Sequence, residues 1–390
     1  MRLLDLMPDT VVNRSRRITL LAHQGPVMLL LFKFAECYAL LQRYEPIGLA
    51  LGDAGLLGAF YGCLGHCQWF LGEFDRTIAT LDKAAQLSEA AGNPDATGYA
   101  YMLLAWTHMC QGNFARVHEL RDLALHQCDQ KLHLRNHTQA LTAASMACTF
   151  QGRWSTAVED SVRSMRAAEA LGDDNNISFA AMALCLNHAY KGDLRAALHY
   201  GEFASGKSVT PADKAWAAGC YGFALCRAGE PRRAIALLVD IVKVQRAGGF
   251  VCGEILALSL GEAYWRADEL DQARVTLGEV IEVSARCGMQ FFLGSAHRLL
   301  AEVALRSTRQ PRAGHEAADH LATSVAILAS IHADNELALA YAGYGRLHIQ
   351  HGDIAQARDY LTRALEIFER LGTLGEPDKV RQELAALPEG

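Results

Sequence analysis

Apolar positions recur along this chain at helical spacing, in blocks separated by short polar turns built on glycine. The clearest block begins at Gly352-Asp353. The pair ends one helix, and Ala357, Leu361 and Ala364 then share a face at i, i+4 and i+7. The same turn returns at Gly72-Glu73-Phe74, Gly112-Asn113-Phe114, Gly152-Arg153-Trp154, Gly192-Asp193-Leu194 and Gly229-Glu230-Pro231. The first four of these glycines are each 40 residues apart. A fixed period of that size marks a solenoid, in which each unit buries its apolar face against its neighbours.

The turns set a frame for the helices around them. Seven residues before each turn glycine stands a mostly small residue: Gly65, Ala105, Ser145, Cys185, Gly222 and Gly345. Five residues after it stand Thr77, Val117, Ala157, Ala197, Ala234 and Ala357. Small side chains at such positions let two antiparallel helices approach closely. Around Asp268 the turn glycine is replaced, yet Gly261, Tyr264 and Ala273 keep the frame. Arg309 to Gly314 lengthens one turn before Ala317 and Leu321 resume the pattern. No stretch alternates as a half-buried strand would.

These spacings predict an all-α, right-handed superhelical solenoid of about nine helix pairs with a period of about 40 residues. Residues 1–50 are expected to form an N-terminal helical pair, with a break at Gly25-Pro26 and a second helix from about Val27. Residues 51–372 form the array. Residues 373–390 form a capping helix and tail, with the helix read from Pro377 to Leu387. Such a cap keeps the last apolar face from water.

The unit with a small residue, a Gly-Asp turn and an alanine resembles the tetratricopeptide repeat, stretched to about 40 residues. Tyr341, Tyr344-Gly345, His348, Gly352-Asp353 and Ala357 carry the likeness best, with His348 where tyrosine is usual. A second likeness lies at the N-terminal end. Leu6 to Thr10, Arg14, Arg17, Leu20-Leu21, Gly25-Pro26 and Leu49 to Asp53 resemble the junction where such repeats begin in bacterial multidomain signalling proteins. Those proteins place a class III adenylate/guanylate cyclase domain and an AAA-type, STAND-like ATPase ahead of the repeats. The resemblance implies a regulatory or sensory arm rather than a catalytic domain.

Composition narrows the function classes. A net charge of −6 gives no basic footprint for nucleic acid or an anionic membrane. The longest apolar run, Val27 to Phe32, is too short to span a bilayer, and no signal-peptide order appears at Met1. Eleven cysteines, scattered inside apolar helical patterns, fit buried free thiols in a reducing cytoplasm.

Two constellations suggest chemistry. Gly201 to Ser208 matches the phosphate-loop pattern G-x-x-x-x-G-K-[ST], with Gly201, Gly206, Lys207 and Ser208 at its fixed positions. An apolar run ending at Asp240 follows it. The chemistry needs a strand feeding a loop at a helix N-terminus. Here the preceding residues have helical spacing, and Thr210-Pro211 interrupts the chain where the following helix should run. The histidines and cysteines of Cys63-His66-Cys67 and of His126, Cys128, His133 and His137 lack the paired short spacings of structural zinc. No cofactor, metal or catalytic residue is expected; a nucleotide or metal hydrolase is the lesser reading.

The stronger signal is distributed. In tetratricopeptide arrays the first helix of each pair lines the concave face. By the resemblance, the inward positions here are His66, Trp69, Met102, Trp106, Met109, Met146, Phe223, Glu262, Trp265 and Arg346. Aromatic and methionine side chains there suit an apolar peptide or an amphipathic helix. They suit equally the filling of a tightly wound interior. The main expectation is a scaffold binding a protein or peptide partner on the concave face. The alternative is a small-molecule sensor with an enclosed aromatic and methionine-lined pocket.

Overall fold

The computed structural model describes residues 2–129, 131–249, 251, 253–307 and 313–388. Among these it holds twenty helices and no strand. After a short α1 (Arg2–Asp5), nine helix pairs follow in order. They are α2 (Val11–Leu30) with α3 (Phe34–Leu51), α4 (Ala54–Phe70) with α5 (Phe74–Ala90), and α6 (Pro94–Gln111) with α7 (Phe114–Gln127). Next come α8 (Leu134–Phe150) with α9 (Trp154–Leu171), α10 (Asp174–Lys191) with α11 (Leu194–Lys207), and α12 (Pro211–Arg227) with α13 (Pro231–Gly248). The array ends with α14 (Glu254–Arg266) and α15 (Leu270–Cys287), α16 (Gln290–Arg306) and α17 (Ala313–Ser330), then α18 (Asp334–His351) and α19 (Ile354–Leu371). Helix α20 (Glu376–Ala385) caps it, covering Phe368 and Leu339 with Val380. The lengthened turn expected at Arg309 to Gly314 lies largely outside the described residues.

The two helices of a pair have different sequences because they have different neighbours. The second helix faces solvent on its outer side and buries one stripe; in α19 this is Ala357, Leu361, Ala364 and Phe368. The first helix is wrapped on nearly every side. In α10, residues 176 to 187 are buried without interruption, with small side chains such as Ser178, Ala180, Ala181, Ala183 and Cys185 admitting the neighbours.

The pairs close by volume exchange across a fixed contact. A Cβ on Gly65 would lie 2.6 Å from Leu81, and on Gly222 it would lie 2.7 Å from Leu238. On Gly261 and Gly345 it would lie 2.6 Å from Leu277 and Leu361 respectively. In each case a leucine nine residues past the turn occupies the space that the glycine leaves. Where the first helix carries Cys185 instead, the second carries Gly201; where it carries Ser145, the second carries Ser161, hydrogen-bonded to it at 2.6 Å. Asp268 takes the left-handed conformation of the missing turn glycine, at φ +63°.

One expected break is absent. Helix α2 runs through Gly25-Pro26, and the chain turns instead after Leu30, with Phe32 at φ +57°. Gly25 serves helix approach, since a Cβ there would lie 1.9 Å from Cys63 Sγ on α4. Pro26 sits in the last turns of the helix, where a lost N–H costs one hydrogen bond.

The right-handed superhelix is wound tightly enough to touch itself. First helices five pairs apart come into contact: α2 with α12, α6 with α16, and α8 with α18. Phe150 on α8 and Phe291 on α16, four pairs apart, stack with centroids 3.8 Å apart. The Val251 N–H donates to the Phe70 carbonyl at 3.0 Å, and the Leu374 N–H to the Lys191 carbonyl at 2.6 Å. The four glycines at the 40-residue period sit at this seam. Beta carbons on Gly72, Gly112, Gly152 and Gly192 would meet Val251, Ile331, Leu371 and Leu374 respectively, all at 3.0 Å or less. Gly229 and Gly352, outside the overlap, meet nothing within 4 Å.

Candidate functional site

Winding the first helices into a closed turn brings their inward stripes together. Six of the inward residues predicted from sequence, His66, Trp69, Met102, Trp106, Met109 and Met146, line one cavity of about 80 Å³. That is room for several waters or a compact apolar group. Helices α4, α6, α8, α10 and α12 supply most of the wall. Leu30 at the end of α2, Ile255 on α14, and Met289 and Phe292 at the start of α16 close it.

The wall is held by aromatic packing. Trp69 contacts Trp106 and Trp216 edge-on at 6.3 and 6.1 Å, and Trp216 meets Phe179 at 5.2 Å. His66 stacks on Phe70 at 5.2 Å, and its Nδ1 pairs with the Tyr99 hydroxyl at 2.6 Å. Burial drives the His66 imidazole well below its ordinary pKa, and the charge of nearby Arg135 adds to this, so the ring is neutral. Burial likewise pushes the Tyr99 phenol upward. The indole Nε1 of Trp69 is buried with no hydrogen-bond partner among the described residues.

The other four predicted residues lie farther along the inner face. Phe223 is buried between Tyr190, at 4.6 Å, and the Arg227 guanidinium, at 4.9 Å. Glu262 is enclosed in an ion cluster, 2.9 Å from Arg227 and 2.8 Å from Arg266. Glu336 joins the same cluster, 3.5 Å from Arg227 and 2.8 Å from Arg298. Trp265 is covered by Arg266 and Arg306 at 5.1 and 4.5 Å. Arg346 bridges Glu302 and Glu383 at 2.5 and 3.0 Å. These four side chains pack against rings, guanidinium groups and carboxylates of their own surroundings, and none of them lines the cavity of the first six.

Several lining residues were not on the sequence-derived set. Met182, Phe179, Trp216, Thr142, Gln139 and Arg135 continue the inward stripe toward the helix N-termini, 10, 13 or 17 residues before the turn glycines. Extending the stripe by two helical turns in every first helix finds them. Met289 and Phe292 carry no such signal, because superhelical closure alone brings α16 to the cavity.

The phosphate-loop match does not form a phosphate loop. Gly201 lies inside α11, Gly206 and Lys207 at its end, and Ser208 donates to the Ala204 carbonyl at 2.9 Å. Lys207 pairs with Asp174 at 2.8 Å. A helix precedes the motif where a strand is needed. Thr210 instead starts α12 through a reciprocal capping box with Asp213. Among the described residues, no group of three His, Cys, Asp or Glu side chains is placed to hold a metal ion. His133 accepts from the Asp129 N–H at 3.1 Å. No helix among the described residues is long and apolar enough to cross a membrane.

The sequence model of the tetratricopeptide repeat matches residues 338–370, the unit with the clearest Gly-Asp turn. Curated protein sequences yield no match. Among solved structures, the chain is similar to the Rap protein complexed with Competence and Sporulation Factor, with a TM-score of 0.63 and 13% identity. That match covers 91% of this chain and 99% of the other. Weaker likenesses include the APC/C hetero-tetramer Cut9-Hcn1, at a TM-score of 0.42, 11% identity, and coverage of 94% and 82%. Yeast Tom70 matches at 0.31, with 11% identity and coverage of 95% and 97%. The fold is a superhelix of tetratricopeptide-type helix pairs.

Proposed function

We propose that the chain is a non-catalytic regulatory scaffold that senses a small, largely apolar ligand inside its closed superhelix. The observation that carries this reading is closure itself. Contacts between first helices five pairs apart convert an open concave groove into a cavity lined by Trp, Met and Phe. The cavity's volume of about 80 Å³ favours a small ligand over an amphipathic helix, because a helix is about 10 Å wide with its side chains. Helix α2 touches both α4 and α12 and ends at Leu30 on the cavity wall. A ligand that tightens the cavity therefore acts directly on α2, the side on which the resemblance to bacterial cyclase–ATPase regulators puts the catalytic domains.

Three of the five tryptophans, Trp69, Trp106 and Trp216, line the cavity and report its occupancy. Titration with 4-phenylbutan-1-ol is expected to shift tryptophan emission saturably and to slow hydrogen exchange in α4, α6 and α8. Met146→Trp, which fills the cavity, should abolish the effect. A probe response unchanged by Met146→Trp would place binding elsewhere and end this reading.

A second reading keeps the partner on the inner face. It is favoured by the Rap structure, a complex with Competence and Sporulation Factor on a superhelix of the same architecture. It requires the superhelical turns to part, so scattering would show an increased radius of gyration on binding.

A further inference from the structure

We infer that the cavity is built for an apolar carboxylic acid, with Arg135 as the anchor of its carboxylate. The inference rests on the cavity being a ligand site. Arg135 is the one charged side chain in a wall that is otherwise apolar or neutral. Of the other arginines of the inner face described above, Arg227, Arg266, Arg298 and Arg346 are paired with carboxylates, and Arg306 donates to the Trp265 carbonyl at 2.9 Å. The Arg135 side chain is half-buried and its guanidinium has no ion pair or hydrogen bond among the described residues.

Its position sharpens the point. Arg135 stands in the first turn of α8, a helix with no acidic residue in that turn and no side-chain cap. A cation at the positive end of a helix is disfavoured without a counter-charge, whereas an anion there is favoured by both. An anion between Arg135 and the α8 N-terminus would complete the site.

The neighbours of Arg135 complement a carboxylate with an apolar body. His66 lies close enough to feel its charge, and Tyr99 occupies His66 Nδ1; when the Tyr99 hydroxyl donates there, the neutral ring carries its proton on Nε2. Gln139, one turn along α8, spends its amide nitrogen on Asn176 at 3.1 Å. Beyond these groups the wall turns to Met102, Trp106, Met109 and Met146, which take the hydrocarbon. Methionine there tolerates varied shapes, so head-group charge decides the class of ligand more sharply than body shape.

The test compares two isosteric probes, 4-phenylbutyrate and 4-phenylbutan-1-ol, on the full chain by tryptophan emission and calorimetry. The acid is expected to bind at least tenfold more tightly than the alcohol. Arg135→Gln should erase that difference by weakening the acid far more than the alcohol, and Arg135→Lys should retain part of it. Equal affinity for acid and alcohol in the unmodified chain overturns the anchor and leaves the cavity reading standing. Failure of both probes overturns the two together. Binding of the peptide Ala-Ala-Ala-Phe with a free C-terminus, and not of 4-phenylbutyrate, overturns the small acid in favour of a chain terminus.

Discussion

The Leu374 N–H donates to the carbonyl of Lys191 at 2.6 Å, joining residues that lie 183 positions apart in the chain. Beside that bond Gly192 sits at φ +96°, and a Cβ on it would lie 2.3 Å from the Leu374 carbonyl oxygen. The turn glycine thus meets two separate demands: a left-handed backbone, and the arrival of the next superhelical turn.

These demands are separable by mutation. Gly352→Ala meets only the first, since φ is +75° and nothing lies within 4 Å; it should cost ~1–2 kcal/mol. Gly192→Ala should cost about 1–3 kcal/mol more, because backbone rather than a movable side chain is in the way. Urea unfolding gives both values, and small-angle scattering should show the Gly192 variant more open. Equal costs would mean that the seam contributes nothing to stability.

Pairing within a repeat predicts compensation. Gly65→Ala drives a methyl group to within 2.6 Å of Leu81, at an expected cost of about 1–3 kcal/mol. Trimming the partner with Leu81→Val should recover part of that loss, because Cys185 opposite Gly201 already shows the exchange working in reverse. A double-mutant cycle measures the coupling, and strict additivity would refute volume exchange.

Acid should probe the ion cluster. Burial raises the Glu262 carboxyl, but Arg227, Arg266 and Arg298 together overcome it and hold the group at about 2, below its ordinary 4.5. Since the folded value lies below the unfolded one, this stabilisation is complete above about pH 4.5 and disappears as pH falls toward about 2. It amounts to on the order of 3 kcal/mol. Glu262→Gln should cost ~3–5 kcal/mol at neutral pH by leaving Arg227 short of a counter-charge. Its stability curve should then converge on that of the unmodified chain in acid. Parallel curves would show that Glu262 is not held by these arginines.

Lys207 is expected to matter little. Its pairing with Asp174 is solvent-exposed on both sides, so Lys207→Ala should lower stability by less than about 1 kcal/mol. Calorimetry with ATP and Mg²⁺ should detect no binding before or after the change. Stoichiometric binding lost in the variant would revive the nucleotide reading.

Local periodicity was enough to read the helices, their pairing and their small-residue contacts. The 3.6-residue repeat and the turn glycines act over tens of residues, and each pair packs mainly on its neighbours. The stripe of inward residues was legible for the same reason, including Arg135 once it is extended toward the N-terminus of α8. The Gly25-Pro26 pair misled because the identity of a glycine does not say whether it bends a chain or admits a neighbour. Cys63, which explains Gly25, stands on a different helix pair.

What the sequence by itself determined is a one-dimensional stack of helix pairs and which face of each looks inward. Only the tertiary structure decided how tightly the stack winds. Curvature sums small rotations over four and then five pairs until Phe291 reaches Phe150 and α16 reaches α6. No local spacing records that sum, yet it makes the inner face a cavity around Trp69 and Met146 rather than an open groove. It also gives the 40-residue glycines their second role, since the partners they meet exist only after a full turn of the superhelix.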